Sequence, residues 1–148
     1  MQPFEGERIF SLPPDQLWPK LRDAAFLMQC IPDATPHDGG TRDQATATVH
    51  PGFSFMRGSF DVTIKVLGGQ EPLSIQYSQK SKGIGTTSEV ETNLTLTATE
   101  QGTKVQWRSE VKHLGGLLKM VPSGLIRGAA QKVIEDGWKG VAEKLNLP

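Results

Sequence analysis

The 148-residue sequence holds one cysteine, Cys30, and one tyrosine, Tyr77. A lone cysteine excludes an intramolecular disulfide and fits a reducing compartment. Neither sign of charge is in excess: 16 Lys and Arg balance 16 Asp and Glu. No overall field therefore favours nucleic acid or a strongly anionic membrane surface. No apolar run approaches the roughly 18 residues a spanning helix needs. Behind the charges of Met-Gln-Pro-Phe-Glu-Gly-Glu-Arg there is no apolar stretch of the signal-peptide kind, so the expected location is cytoplasmic. The three histidines, His37, His50 and His113, lie far apart in sequence. None pairs with another or with Cys30 at a spacing that puts two ligands on one face, and no metal site is expected.

Nucleophile motifs are also missing. There is no Gly-x-Ser-x-Gly elbow, and Cys30 ends an amphipathic run, where it reads as a small buried hydrophobe. Gly83-Ile84-Gly85 follows Lys80 and Lys82, but no helix begins there to hold a phosphate. Lys80, Lys82, Arg57 and Lys65 form no basic stripe with stacking aromatics, which argues against nucleic acid. No cofactor and no catalytic residue is assigned.

What is abundant is turn chemistry and alternation. Sixteen glycines and 10 prolines punctuate the chain. Phe4 to Leu12 reads as a strand ended by Pro13-Pro14. Asp15 is expected to cap a short helix carrying Leu17, Trp18 and Leu21. Asp23 is expected to cap a second, Ala24 to Cys30, stopped by Pro32. A strand entering a tight hairpin is expected at Gly39-Gly40. Then Ala45, Ala47 and Val49 share a face. Phe60, Val62, Ile64 and Val66 alternate with polar residues up to a turn at Gly68-Gly69. Leu73, Ile75 and Tyr77, then Val90, Leu94 and Leu96, then Val105, Trp107, Ser109 and Val111 repeat the pattern. Gly83-Gly85 and Gln101-Gly102 are the turns between them.

One face apolar and one polar is how an antiparallel sheet reads. The last segment has a different period. Ile126, Ala130, Val133, Ile134, Val141 and Leu145 fall on one face of a long helix. Small residues, Ala129, Ala130, Gly137 and Gly140, sit near that face, so the helix either approaches a neighbour closely or leaves space. Pro122 and Gly124 are expected to kink or restart it. The expected fold class is α+β: a curved antiparallel sheet of about six to seven strands around a long C-terminal helix, with two short helices after the first strand, in one domain over 1–148.

Specific stretches carry a family resemblance. They are Leu12-Pro-Pro-Asp-Gln-Leu-Trp18, Leu21-Arg-Asp23, Cys30-Ile-Pro32, Gly83-Ile-Gly85, and the ending from Gly115-Gly-Leu117 through Ile126 to Leu145. In this order they resemble the CoxG-like family of carbon monoxide dehydrogenase proteins, within the START-like (SRPBCC) superfamily of helix-grip folds. The sequence departs from that pattern in placing Asp33, where relatives usually have glycine, after Cys-Ile-Pro. Longer relatives carry a C-terminal tail that helps membrane association; the sequence stops at Pro148, so membrane recruitment by that route is not expected. The resemblance implies a hydrophobic small molecule, such as a lipid or quinone, held in a cavity between sheet and last helix. It also links such proteins to maturation of molybdenum hydroxylases.

On this reading Phe60, Val62, Ile64, Tyr77, Leu94, Leu96, Trp107, Ser109, Ile126, Ala129, Ala130 and Val133 line the ligand site. The competing reading is that the same residues form an ordinary core. Gln79, Thr92 and His113 share parity with the wall and are candidate polar groups. Phe53, Phe55 and Met56 on one side, and Met120 with Pro122 on the other, are candidate gates. Two further functions are carried. One is a cyclase or hydrolase using Tyr77, His113 or Asp and Glu side chains in the same cavity. The other is an accessory protein docking on a molybdenum hydroxylase or another partner, and a peripheral membrane contact is a third kind of association left open.

Overall fold

The computed structural model describes residues 2–50 and 58–148, and the aromatic segment with Phe53, Phe55 and Met56 lies outside them. The chain runs β1 (Phe4–Phe10), α1 (Pro14–Leu21), α2 (Ala24–Cys30), β2 (Thr35–Pro36), β3 (Gln44–Val49), β4 (Phe60–Gln70), β5 (Ser74–Gly83), β6 (Thr86–Thr99), β7 (Gly102–Gly116), a 3-10 turn at Leu117–Met120, and α3 (Ser123–Lys144). All seven strands form one antiparallel sheet in the order β1-β7-β6-β5-β4-β3-β2. β2 to β7 form a meander. β1 adds to its far edge, so α1 and α2 must carry the chain from one edge to the other. The expected α+β class and element order are those observed.

Local chemistry explains most boundaries. Asp23 caps α2 as expected, its Oδ1 accepting from the Phe26 N–H at 3.1 Å. Asp15 does not cap α1. Pro13 holds the N-cap position and Pro14 opens the helix, where a fixed φ and a missing N–H cost nothing. Pro19 stands in the last turn of α1. Gly39-Gly40 is not a tight hairpin: the link between β2 and β3 spans seven residues. Nor do Gly68 and Gly69 turn the chain. They lie within β4, beside a bulge between Val66 and Gly68, and the turn falls at residues 71–73. Gly69 takes φ +143 there, close against the Ser74 backbone, so the glycine pair serves a bulge and a close approach.

The core fills one end of the molecule. Leu17, Trp18 and Leu21 of α1, Ala24, Met28 and Cys30 of α2, and Val141 and Ala142 of α3 meet there. They close on Ala45, Ala47, Ile75, Leu94, Leu96 and Val105 of the sheet. Trp18 Nε1 donates to the Ser74 carbonyl at 2.9 Å, and Thr103 Oγ1 to the Leu12 carbonyl at 2.6 Å, which ties α1 and the segment leading into it to the strands. In α3 only Gly140, Val141 and Ala142 are fully buried. The first four turns of α3 stand apart from that core.

Candidate functional site

Why α3 stands off from the sheet follows from its small residues, which act in two different ways. A Cβ on Gly140 would overlap the carbonyl of Cys30, so glycine here lets α3 touch the backbone of α2. A Cβ on Gly137 would meet nothing within 4 Å among the described residues, and the same holds for Gly128 and Gly124. One end of the helix is therefore clamped to α2, while Gly124, Gly128 and Gly137 face open space. The 3-10 turn spaces the other end. It donates from the Leu117 N–H to the Gly85 carbonyl at 3.1 Å and tucks Leu118 inward. Pro122 then stands at the N-cap of α3, so the helix restarts there.

Between α3 and the sheet lies a space of about 410 Å³. β4 contributes Phe60, Val62 and Ile64, and β5 contributes Tyr77, Gln79 and Ser81. From β6 and β7 come Val90, Thr92, Leu94, Trp107, Ser109, Val111 and Leu114. Ile126, Ala129, Ala130, Val133, Ile134, Gly137, Trp138 and Val141 roof it from α3, with Leu27 and Cys30 of α2 and Ile31 just after it at one side. Val133 keeps 52% of its surface accessible although it lines this space, so its methyl groups are not packed against the sheet.

Eleven of the twelve residues expected to line a ligand site border this one space; Leu96 does not. It is 2% exposed and belongs to the closed end of the core, two residues beyond Leu94 on the same face. Met120 is 81% exposed at the end of the 3-10 turn, and Pro122 is exposed beside it, so neither covers the space.

His113 is corrected outright. A register shift in the β6–β7 ladder pairs Glu89 with His113 but Val90 with Val111. The extra residue reverses the alternation, so Leu114 turns inward and His113 outward. His113 is exposed and lies 3.2 Å from Thr87 Oγ1. Tyr77 is no acid or base either. Its hydroxyl donates to the Leu21 carbonyl at the end of α1, and burial holds its pKa far above the usual phenol range. Among the described lining residues Lys80 carries the only charge, and none is Asp, Glu or His. Elsewhere too, no three His, Cys, Asp or Glu side chains converge among the described residues.

The polar groups that do face the space form a hydrogen-bonded line across three strands. Thr92 Oγ1 donates to Gln79 Oε1 at 3.1 Å and lies 2.7 Å from Ser109 Oγ. Ser81 and Ser88 form a second hydroxyl pair beside it. Cys30 Sγ donates to the Phe26 carbonyl at 3.3 Å, and burial pushes the thiol up to about 11, against the smaller pull of Lys144.

Several lining residues escaped the sequence reading. Trp138 stacks on Trp107 with ring centroids 5.1 Å apart and planes 23° from parallel. It lies four residues after Ile134, on the same helical stripe, so the period itself was the missed signal. Leu114 had a weaker one: Lys112-His113 puts two polar residues in succession where alternation allows one.

A curved antiparallel sheet gripping a long C-terminal helix over an apolar space defines a helix-grip protein of the SRPBCC-like class. Residues 6–146 match the CoxG family, named for the CoxG subunit of carbon monoxide dehydrogenase, and the chain belongs to that family. A conserved protein from Geobacillus kaustophilus superposes with TM-score 0.83 at 20% identity, covering 97% of this chain and 95% of that one. A Mycobacterium smegmatis protein gives 0.67 at 13% identity, covering 97% and 90%. One from Chromobacterium violaceum gives 0.61 at 14%, covering 93% and 95%. At these identities the likeness is one of fold. None of the curated proteins compared is similar enough to match. In addition, no helix among the described residues is long and apolar enough to cross a membrane.

Asp33 now has a physical reading. Its φ is +57, in the left-handed region that glycine enters freely and aspartate tolerates.

Proposed function

We propose that this protein binds and carries a hydrophobic small molecule, a lipid, quinone or similar compound, in the space between the sheet and α3. The observation that carries this reading is the roughly 410 Å³ of unfilled, mainly apolar volume beneath the first turns of α3. An ordinary core would fill it, because interiors close to crystal density. Instead the helix offers Gly137, Ala129 and Ala130. The volume falls within the range of small-molecule sites. Withdrawing a ligand's apolar surface from water supplies ~25 cal/mol per Å² before the costs of association. Access is proposed at the start of α3, where Leu118 of the short 3-10 turn borders the space and that turn has few contacts to break.

Native mass spectrometry of the purified chain, with organic extraction of what it retains, tests this. The expected result is one apolar molecule per chain, or uptake of one when lipids, quinones or polycyclic aromatics are offered. Failure to retain or take up any of them would overturn the reading.

A second reading is accessory docking on a partner enzyme: the family's name suggests a carbon monoxide dehydrogenase, and the sequence resemblance implies a molybdenum hydroxylase. It is favoured by the exposed apolar side chains Leu117, Met120 and Leu125 around the start of α3. The two readings are compatible, since a carrier must deliver its cargo. A cyclase or hydrolase is not favoured: Tyr77 is held by a backbone carbonyl and His113 faces outward.

A further inference from the structure

We infer that the bound molecule is apolar with one neutral oxygen acceptor, such as a ketone or ester carbonyl, and that Gln79, Thr92 and Ser109 hold that oxygen. This rests on the carrier reading above and specifies the chemistry of its ligand. Polar side chains on a face buried under a helix cost stability unless hydrogen-bonded. Here β5, β6 and β7 each supply one, at adjoining positions: Thr92 stands opposite Ser109 and diagonal to Gln79. Thr92 and Ser109 are each 5% exposed.

The donor count decides what this group wants. Ser109 and Thr92 bring one O–H each and the Gln79 amide brings two N–H. Two hydrogen bonds join the three side chains. Thr92 gives its only proton to Gln79 Oε1, so Ser109 must donate to Thr92. Both Gln79 N–H groups are then left without a partner among the described residues. If the amide is turned the other way, Gln79 donates to Thr92 and Thr92 to Ser109, leaving one Gln79 N–H and the Ser109 O–H. Either way two donors border the space with no partner among the described residues, and an apolar ligand alone would strand them.

A neutral acceptor fits better than an anion. The three groups carry no charge, and Lys80, although it borders the space, is exposed and by alternation directs its side chain to the other side of β5 from Gln79 and Ser81. The neighbours Val90, Val111 and Leu114 are aliphatic and suit the rest of the molecule.

The test uses two flat probes of the same skeleton, 9-fluorenone and fluorene, which differ by one carbonyl. Their affinities for the full chain are read from quenching of tryptophan fluorescence, since Trp107 and Trp138 line the space. Water solvates the ketone better, so solvation alone favours fluorene. The expected result is about fivefold or more in favour of fluorenone, from one hydrogen bond in a dry site. In Gln79→Leu and in Thr92→Val that preference should vanish while fluorene binding persists. Thr46→Val, which removes a hydroxyl from the Thr46–Thr63 pair at 2.8 Å, away from this space, should leave it intact. Equal affinities in the unmodified chain, or a preference that survives both substitutions, would overturn the inference and leave the carrier reading standing. Binding of neither probe, nor of any lipid, would overturn both.

Discussion

Replacing Gly140 and Gly137 by alanine, one at a time, separates the two uses α3 makes of small residues. The positions are three residues apart on one helix, so intrinsic propensity treats them alike. Alanine is favoured over glycine in a helix interior by about 1 kcal/mol. At Gly137 nothing opposes that gain, because an added Cβ meets no atom within 4 Å among the described residues. Gly137→Ala should therefore stabilise the fold by up to ~1 kcal/mol. At Gly140 the Cβ would overlap the Cys30 carbonyl, which is backbone at the end of α2 and cannot rotate away. Overpacking of this kind costs about 1–3 kcal/mol, and a rigid neighbour puts it at the upper end. Net of the propensity gain, Gly140→Ala should destabilise by ~2 kcal/mol, lowering Tm by roughly 4–8 °C for a chain of this size. Urea unfolding followed by tryptophan fluorescence measures both variants against the parent. If Gly140→Ala unfolds no earlier than the parent, the clamp between α3 and α2 is not as described. If Gly137→Ala loses more than ~1 kcal/mol, the space beside it is not empty.

Ala130→Phe should occupy the space with little loss of stability, and retention of an apolar ligand should fall about tenfold or more; unchanged retention by mass spectrometry would contradict this. Cys30, its thiol pushed up to about 11, should resist iodoacetamide at pH 8 in the folded chain and react fully in guanidinium. Because folding raises this pKa, the unfolded chain sheds the proton first. The contribution is therefore whole below the ordinary thiol range and lost as pH climbs to about 11. Cys30→Ala should flatten that part of the stability–pH curve relative to the parent, and identical curves would count against it. Asp33→Gly should be neutral or stabilising by up to about 1 kcal/mol, since φ +57 suits glycine; a loss above that range in thermal unfolding would show that the aspartate side chain matters there.

The strands and the long helix were legible because each buries one face, and burial of one face writes a period into the residues. Phe60, Val62 and Ile64, or Val105, Trp107 and Ser109, can be read off without a structure. The Asp23 cap and the Pro32 stop were legible for the same kind of local reason. What misled was chemistry whose meaning depends on a partner strand. Gly68-Gly69 looks like a turn, yet it serves a bulge and a close approach to Ser74. His113 has the parity of Trp107 until an inserted residue in the ladder with β6 reverses it. Leu96 shares the face of Leu94 but lies past the point where α1 and α2 seal the core.

By itself, then, the order of residues determined the elements, their sequence along the chain and which face of each is apolar, since these depend on neighbours a few positions away. It also determined that α3 carries small residues where larger ones would fill a core. Only the tertiary structure decided what those small residues do. Gly140 meets the Cys30 carbonyl, Gly137 meets nothing, and the difference arises from where α2 lies, more than 100 positions earlier in the chain. Close contact at one end and open space at the other are properties of two elements together, and no local pattern in either one encodes them.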